Sequence, residues 1–68
     1  MNFKKVMNIK KVRKFDGKEY IKHYAYAYRT LAEREAERIR NKGYSVRMSK
    51  HNIKDSGMWF VLYKRRSK

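Results

Sequence analysis

The residues best suited to chemistry in this chain are the tyrosines and cations of one short stretch, YIKHYAYAYRT at 20–30. Tyr20, Lys22, Tyr24 and Tyr26 occupy alternate positions in the chain, and a β-strand places alternate residues on one face. Aromatic rings stack on nucleic-acid bases, while cations hold phosphates. The stretch therefore predicts a strand face that binds nucleic acid. The same rings can also supply the core of a small domain, and that alternative stays open.

The overall charge favours the same kind of partner. The 68 residues include 20 Lys and Arg against 6 Asp and Glu, a formal net charge of +14. Such an excess repels itself in a folded domain and usually persists where a polyanion neutralises it. The helix-forming segment 31–42 is nearly balanced, so the excess lies outside it. A helix that reads a DNA groove would be expected to carry the excess itself, so a helix-turn-helix is not predicted.

Catalytic and metal chemistry have little support in the residue types. His23 and His51 are the only groups that titrate near neutrality, and they are far apart in the chain. The chain has no cysteine, which removes disulfides and the usual zinc ligands. We therefore predict no catalysis, no cofactor and no metal. A small ribonuclease using His51, close in sequence to Asp55, is the alternative within the enzyme class.

The stretch that carries the tyrosines is predicted to be the second strand of a hairpin. Asp-Gly at 16–17 separates two strand-like runs and is a two-residue turn signal, because both positions tolerate positive φ. The resulting register sets Arg13 opposite Tyr20 and Val12 opposite Ile21. We expect Arg13 and the tyrosines on an open face of the sheet, with Val12, Ile21 and the alanines of the stretch toward a helix.

A helix is predicted immediately after the tyrosines. Thr30 and Glu33 match a capping box, the run LAEREAERIRNK consists of strong helix formers, and Gly43 follows it. The apolar positions of this run form one stripe. These positions are Leu31, Ala32, Ala36 and Ile39.

Two further strands are predicted after the helix. The run YSVRMSK alternates, 50–56 has the composition of a polar loop, and MWFVLYKR is apolar on both sides. We expect Phe60 and Leu62 toward the helix and Trp59 and Tyr63 away from it. The fold class is α+β, a ββαββ domain whose antiparallel or mixed sheet of three to four strands carries one helix on one face. The domain is predicted over 9–63, with an N-terminal arm at 1–8 and a basic tail at 64–68.

The predicted interface combines the sheet, the loop and the tail. Phosphate contacts are assigned to Lys11, Arg13, Lys22, Arg47, Lys50, Lys54, Arg65 and Arg66. Stacking is assigned to Tyr20, Tyr24, Tyr26 and Trp59, and the loop contributes His51 and Asn52. A protein-interaction module is the alternative from another class, either a homodimer formed by strand pairing or an inhibitor of a larger machine.

The composition also bounds the location of the protein. The sequence contains no apolar run of the length that a membrane span needs, and its beginning lacks the apolar stretch of a signal peptide. We expect a cytoplasmic protein that has no contact with membranes. The absence of proline and glutamine, together with abundant Lys, Arg and Glu, is compatible with a thermophilic source.

Overall fold

The computed structural model describes residues 9–66, which form four strands and one helix. In chain order these are β1 (Val12–Phe15), β2 (Lys18–Tyr26), α1 (Arg29–Arg40), β3 (Tyr44–Ile53) and β4 (Gly57–Arg66). The sheet order is β1-β2-β4-β3, and each neighbouring pair is antiparallel. The predicted α+β fold of ββαββ order is confirmed. The N-terminal arm predicted at 1–8 lies outside the described residues.

The first hairpin has the predicted turn and register. Asp16 and Gly17 both adopt positive φ, 54° and 79°, as a two-residue turn requires. Arg13 pairs with Tyr20 and Val12 with Ile21. The Asp-Gly signal therefore located the turn and set which residues lie opposite each other.

Helix α1 packs mainly on β3 and β4. We call the side of the sheet that carries α1 the helix face, and the opposite side the inner face. Three helix residues are buried there against Val46 and Leu62 of the sheet. They are Ala32, Ala36 and Ile39. Leu31 was predicted on the same stripe but is 45% exposed, because it lies at the margin of this contact.

The beginning of α1 differs from the predicted capping box. The helix starts at Arg29 with Tyr28 as its N-cap, and no side chain caps it. Glu33 does not reach back to Thr30, because its carboxylate accepts a hydrogen bond from Arg29 Nε at 3.0 Å. This i,i+4 ion pair replaces the predicted cap. Gly43 ends the helical turn region at φ 94°, as the glycine signal indicated.

A β-bulge in β2 reverses the predicted faces of the later tyrosines. The register between β2 and β4 shifts between Lys22 and Tyr24, so that His23 is the extra residue. An extra residue inverts the in–out alternation beyond it. Tyr24 and Tyr26 therefore lie on the helix face, opposite Leu62 and Phe60, while Ala25 lies on the inner face. The prediction of all tyrosines on one open face was wrong for this reason.

The sheet curls until its two edge strands approach each other across the inner face. In a flat sheet of this order β1 and β3 would lie about 14 Å apart, three strand spacings. In the structure Arg13 of β1 donates to Ser49 of β3 at 2.5 Å, and Asp16 at the first turn pairs with Arg47 of β3. The inner face is consequently enclosed, whereas the sequence predicted a flat and open face.

The second hairpin is longer than predicted. β3 continues through Ile53, so Lys50, His51 and Asn52 pair with β4 instead of forming a loop. Only 54–56 form the connection. β4 likewise continues through Arg66, three residues into the predicted tail, because Tyr44 and its neighbours in β3 pair with it. These polar residues form strands because the backbone ladder, not apolar alternation, holds them.

Candidate nucleic-acid interface

The inner face contains a hydrogen-bonded chain of three side chains that the sequence assigned in part to nucleic-acid binding. Arg13 donates to Ser49 Oγ, and this oxygen lies 3.0 Å from His51 Nε2. Because an arginine can only donate, the Ser49 hydroxyl proton is available to His51. Burial, together with the charge of Arg13, lowers the pKa of His51, which agrees with a neutral ring that accepts. The internal partners of Arg13 and His51 hold them in place within the curl.

Aromatic rings fill the rest of the inner face. Tyr20 is 6% exposed and Tyr63 is 0% exposed, and Phe15 packs against both with ring centroids 5.2 and 5.6 Å away. Arg13 lies 4.9 Å above the Phe15 ring. Burial raises the pKa of Tyr63, whose hydroxyl donates to the carbonyl oxygen of Lys10 at 2.8 Å. Tyr20, predicted to stack on bases, has no ring surface open for a base.

Two more predicted residues lie at the margin of this core. Arg47 is exposed, and hydrogen bonds with Tyr20 and Asp16 raise its pKa. Trp59 lies opposite His51 and is half-buried, and its buried Nε1 has no hydrogen-bond partner among residues 9–66. Neither side chain lies on a flat, open sheet face of the kind that the sequence predicted.

The other predicted residues are distributed over both faces and both ends of the sheet. Lys22 lies opposite Tyr63 on the inner face, whereas Lys50 lies opposite Phe60 on the helix face. The exposed remainder is Lys11, Asn52, Lys54 and Arg66, and Arg65 is half-buried. The fourteen residues predicted from the sequence therefore do not form one continuous surface.

A different surface results from the limited width of α1. A helix about 10 Å across covers roughly two strands spaced about 4.8 Å apart. Because α1 lies mainly over β3 and β4 and contacts β2 at His23 and Tyr26, the helix face of β1 and of the preceding part of β2 is left exposed. We call this uncovered area the hairpin face. It consists of Val12, Lys14, Glu19, Ile21 and Tyr24, with the half-buried Lys64 of β4 at its border.

Register shows that these residues are neighbours. Val12 pairs with Ile21, and Ile21 pairs with Lys64 on β4. Lys14 is two residues from Val12 and so shares its face, opposite Glu19. The Lys64 ammonium lies 5.1 Å from the Tyr44 ring centroid, a cation–π contact that positions it on the helix face.

The hairpin face combines apolar exposure with positive charge. Ile21 is 61%, Tyr24 63% and Val12 47% exposed, all large values for side chains of these types. Tyr24 meets Tyr26 edge-on, with ring centroids 5.2 Å apart and an interplanar angle of 67°. An edge contact of this kind leaves a face of the Tyr24 ring available to a ligand.

A groove continues from Tyr24 along the flank of α1. Its lining includes Tyr26, Leu31, Arg34 and Arg38. The carboxylate of Glu35 also lines it, but hydrogen bonds from Arg38 and His23 hold the pKa of Glu35 at about 2. The distances are 2.6 Å to Arg38 Nη2 and 3.1 Å to His23 Nε2. The charge of this carboxylate is thus compensated locally. Glu37 lines the groove as well, so the two arginines and two carboxylates of the lining balance each other.

The sequence interpretation missed Lys14 and Lys64 and placed Val12 and Ile21 beneath the helix. The predicted hairpin register already set Val12 opposite Ile21, so the sequence did indicate that these two residues are neighbours. The missing information was the position of α1 over the sheet, which depends on the β1-β2-β4-β3 order and cannot be read from residue spacing.

Comparison of the chain with protein-family models gave no match, and neither the curated proteins nor the solved structures yielded one. Within residues 9–66, no helix has the length and apolar character needed to cross a membrane. The same residues contain no group of three or more His, Cys, Asp or Glu arranged to hold a metal ion.

Proposed function

We propose that this protein binds nucleic acid without catalysis and that the hairpin face is its contact surface. The observation that supports the proposal is a strip of sheet, left uncovered by α1, on which Lys14 and Lys64 flank the exposed Ile21 and Tyr24. The chain that displays this strip carries a net charge of +14. Phosphates satisfy the lysines, and the apolar side chains contact sugars and bases.

Charge also argues against a neutral or basic partner for this surface. Three of the six carboxylates, those of Asp16, Glu33 and Glu35, already pair with arginines of the same chain. Because only six carboxylates stand against twenty basic side chains, the positive field is incompletely compensated within the protein, and a polyanion is attracted by it at long range. We place this activity in the cytoplasm, where nucleic acid is the most abundant polyanion.

Salt dependence and charge neutralisation test the proposal together. For a protein that contacts about six phosphates, the logarithm of the duplex binding constant falls with the logarithm of salt concentration at a slope near −5. Lys14→Gln with Lys64→Gln should reduce the magnitude of that slope by about 2, because two phosphate contacts are lost. Fluorescence anisotropy with labelled oligonucleotides at several salt concentrations measures both quantities.

Lys54→Gln is the matched control. It removes the same charge in the connection after β3, about 24 Å along the strands from the Lys64 row. Lys14→Gln and Lys64→Gln are also measured singly, and the control should change the slope by less than half as much as either of them. A protein with no affinity for any oligonucleotide at low salt would refute the function itself. Equal effects at Lys54 and Lys64 would refute the assigned surface.

A further inference from the structure

The hairpin face meets the groove beside α1 where the rings of Tyr24 and Tyr26 contact each other, and we call the two together the trough. Its floor is the helix face of β2, with Ile21, Tyr24 and Tyr26, and its wall is the flank of α1. Arg34 and Arg38 stand on the wall, and Lys64 lies at the open end beside Ile21. Glu35 and Glu37 also line this wall, so the apolar and aromatic side chains lie between a wall of mixed charge and Lys64.

Resting on the proposed function, we propose further that this trough binds single-stranded nucleic acid, with Tyr24 stacking on an unpaired base. Single strands expose the flat faces of their bases, and aromatic side chains on a rigid support stack on them with little regard to sequence. The exposed Tyr24 ring offers such a face, and the bulge at His23 is what turns it toward the trough. Lys64 on one side and Arg34 on the other contact the backbone phosphates.

Double-stranded nucleic acid fits the trough less well than a single strand does. In a double helix the base faces are stacked inside, and a protein reaches them only by inserting a protruding apolar wedge between base steps. Ile21 and Tyr24 lie within a strand of the sheet, and the α1 flank rises beside them, so they do not protrude as a wedge. Duplex binding is therefore limited to phosphate contacts, to which Tyr24 adds little.

A second copy of this chain is a poorer occupant for the same surface. Burying the trough against another copy would bring two proteins of net charge +14 into contact and would remove both copies of Lys64 from water. Like charges removed from water oppose each other strongly. A polyanion with flat apolar rings satisfies both components of the surface.

Tyr24→Ala and Tyr24→Phe separate stacking from charge. Oligo(dT), oligo(U) and a mixed-sequence duplex, each about 15 nucleotides per strand, match the usual site sizes of about 4–16 nucleotides. Loss of one stacked base weakens binding roughly 5- to 150-fold. We expect Tyr24→Ala to show this loss on at least one single strand and less than about a 2-fold change on duplex, with Tyr24→Phe close to the unchanged protein. The two oligomers also report whether the 2′-hydroxyl matters.

Tyr28→Ala is the matched control, since Tyr28 is 67% exposed but is the N-cap residue of α1 and is not among the groove-lining residues. It should leave both affinities within about 2-fold of the unchanged protein, and circular dichroism confirms that each variant is folded. Equal loss on single strand and duplex, or no loss at all, would overturn the trough assignment while the proposed function stands. No binding by the unchanged protein overturns both. Sedimentation showing a dimer that Tyr24→Ala dissociates would assign the surface to a second copy instead.

Discussion

The substitution Tyr63→Phe tests whether the inner face is a closed core. It removes one oxygen and keeps the ring against Phe15, 5.6 Å between centroids. The lost hydrogen bond, 2.8 Å to the carbonyl oxygen of Lys10, contributes about 0.5–1.5 kcal/mol net. The cost rises to about 3 kcal/mol if that carbonyl is left without a partner. A domain of this size has a total unfolding free energy of only about 3–10 kcal/mol.

Urea and thermal unfolding followed by circular dichroism measure the loss, with Trp59 fluorescence as a second probe. Each kcal/mol lowers Tm by about 4–8 °C in a domain of this length. Because the hydroxyl faces the protein interior, affinity for an oligonucleotide should stay within about 2-fold of the unchanged protein.

The control is Tyr24→Phe, the same chemical change at a residue that is 63% exposed. It should alter the unfolding free energy by less than about 0.5 kcal/mol. Equal stability of Tyr63→Phe and the unchanged protein would refute the closed inner face. Loss of oligonucleotide binding in a stable Tyr63→Phe variant would refute it as well, and would restore the open aromatic face predicted from the sequence.

Two further predictions concern the contacts that shape the sheet. The pKa of Glu35 is about 2 in the folded protein against an ordinary 4.5, so its stabilising effect is fully present above pH 4.5 and is lost as pH falls toward 2. The Tm of Glu35→Gln should therefore fall less across this pH window than the Tm of the unchanged protein. Equal falls in Tm for the two proteins would contradict the pairing of Glu35 with Arg38 and His23. Gly17→Ala should cost about 1–2 kcal/mol, because φ is 79° there while the added Cβ meets no atom within 4 Å. Urea unfolding measures the change in unfolding free energy, with Lys18→Ala as a neutral control. An unchanged urea midpoint would mean that the turn does not require the positive φ at Gly17.

Local signals in the sequence were sufficient for the elements and for the first hairpin. The Asp16–Gly17 dipeptide specified both the turn and the pairing of Arg13 with Tyr20, since a two-residue loop permits one register. The burial of Ala32, Ala36 and Ile39 followed from helical spacing alone. These features depend on residues that are close together in the chain.

The surface could not be predicted because it depends on two non-local features. The bulge at His23 has no composition signal, yet it moves Tyr24 and Tyr26 to the other face. The curl that brings Arg13 to Ser49 joins strands at opposite edges of the sheet, 36 residues apart in sequence. Strict alternation through β2 therefore predicted that the tyrosines share one face. In the folded chain Tyr20 lies in the core of the inner face, while Tyr24 and Tyr26 lie in the trough.

The most direct test of the account is an amide-shift titration of the isotope-labelled protein with a short single-stranded oligonucleotide. The largest shifts should occur on the hairpin face, at 12–14, 21–24 and Lys64. The indole N–H of Trp59 and the amides of 50–56 should move little, because they lie at the other end of β3 and β4. Large shifts at Trp59 and 50–56, with the hairpin face unchanged, would show that nucleic acid does not bind the hairpin face.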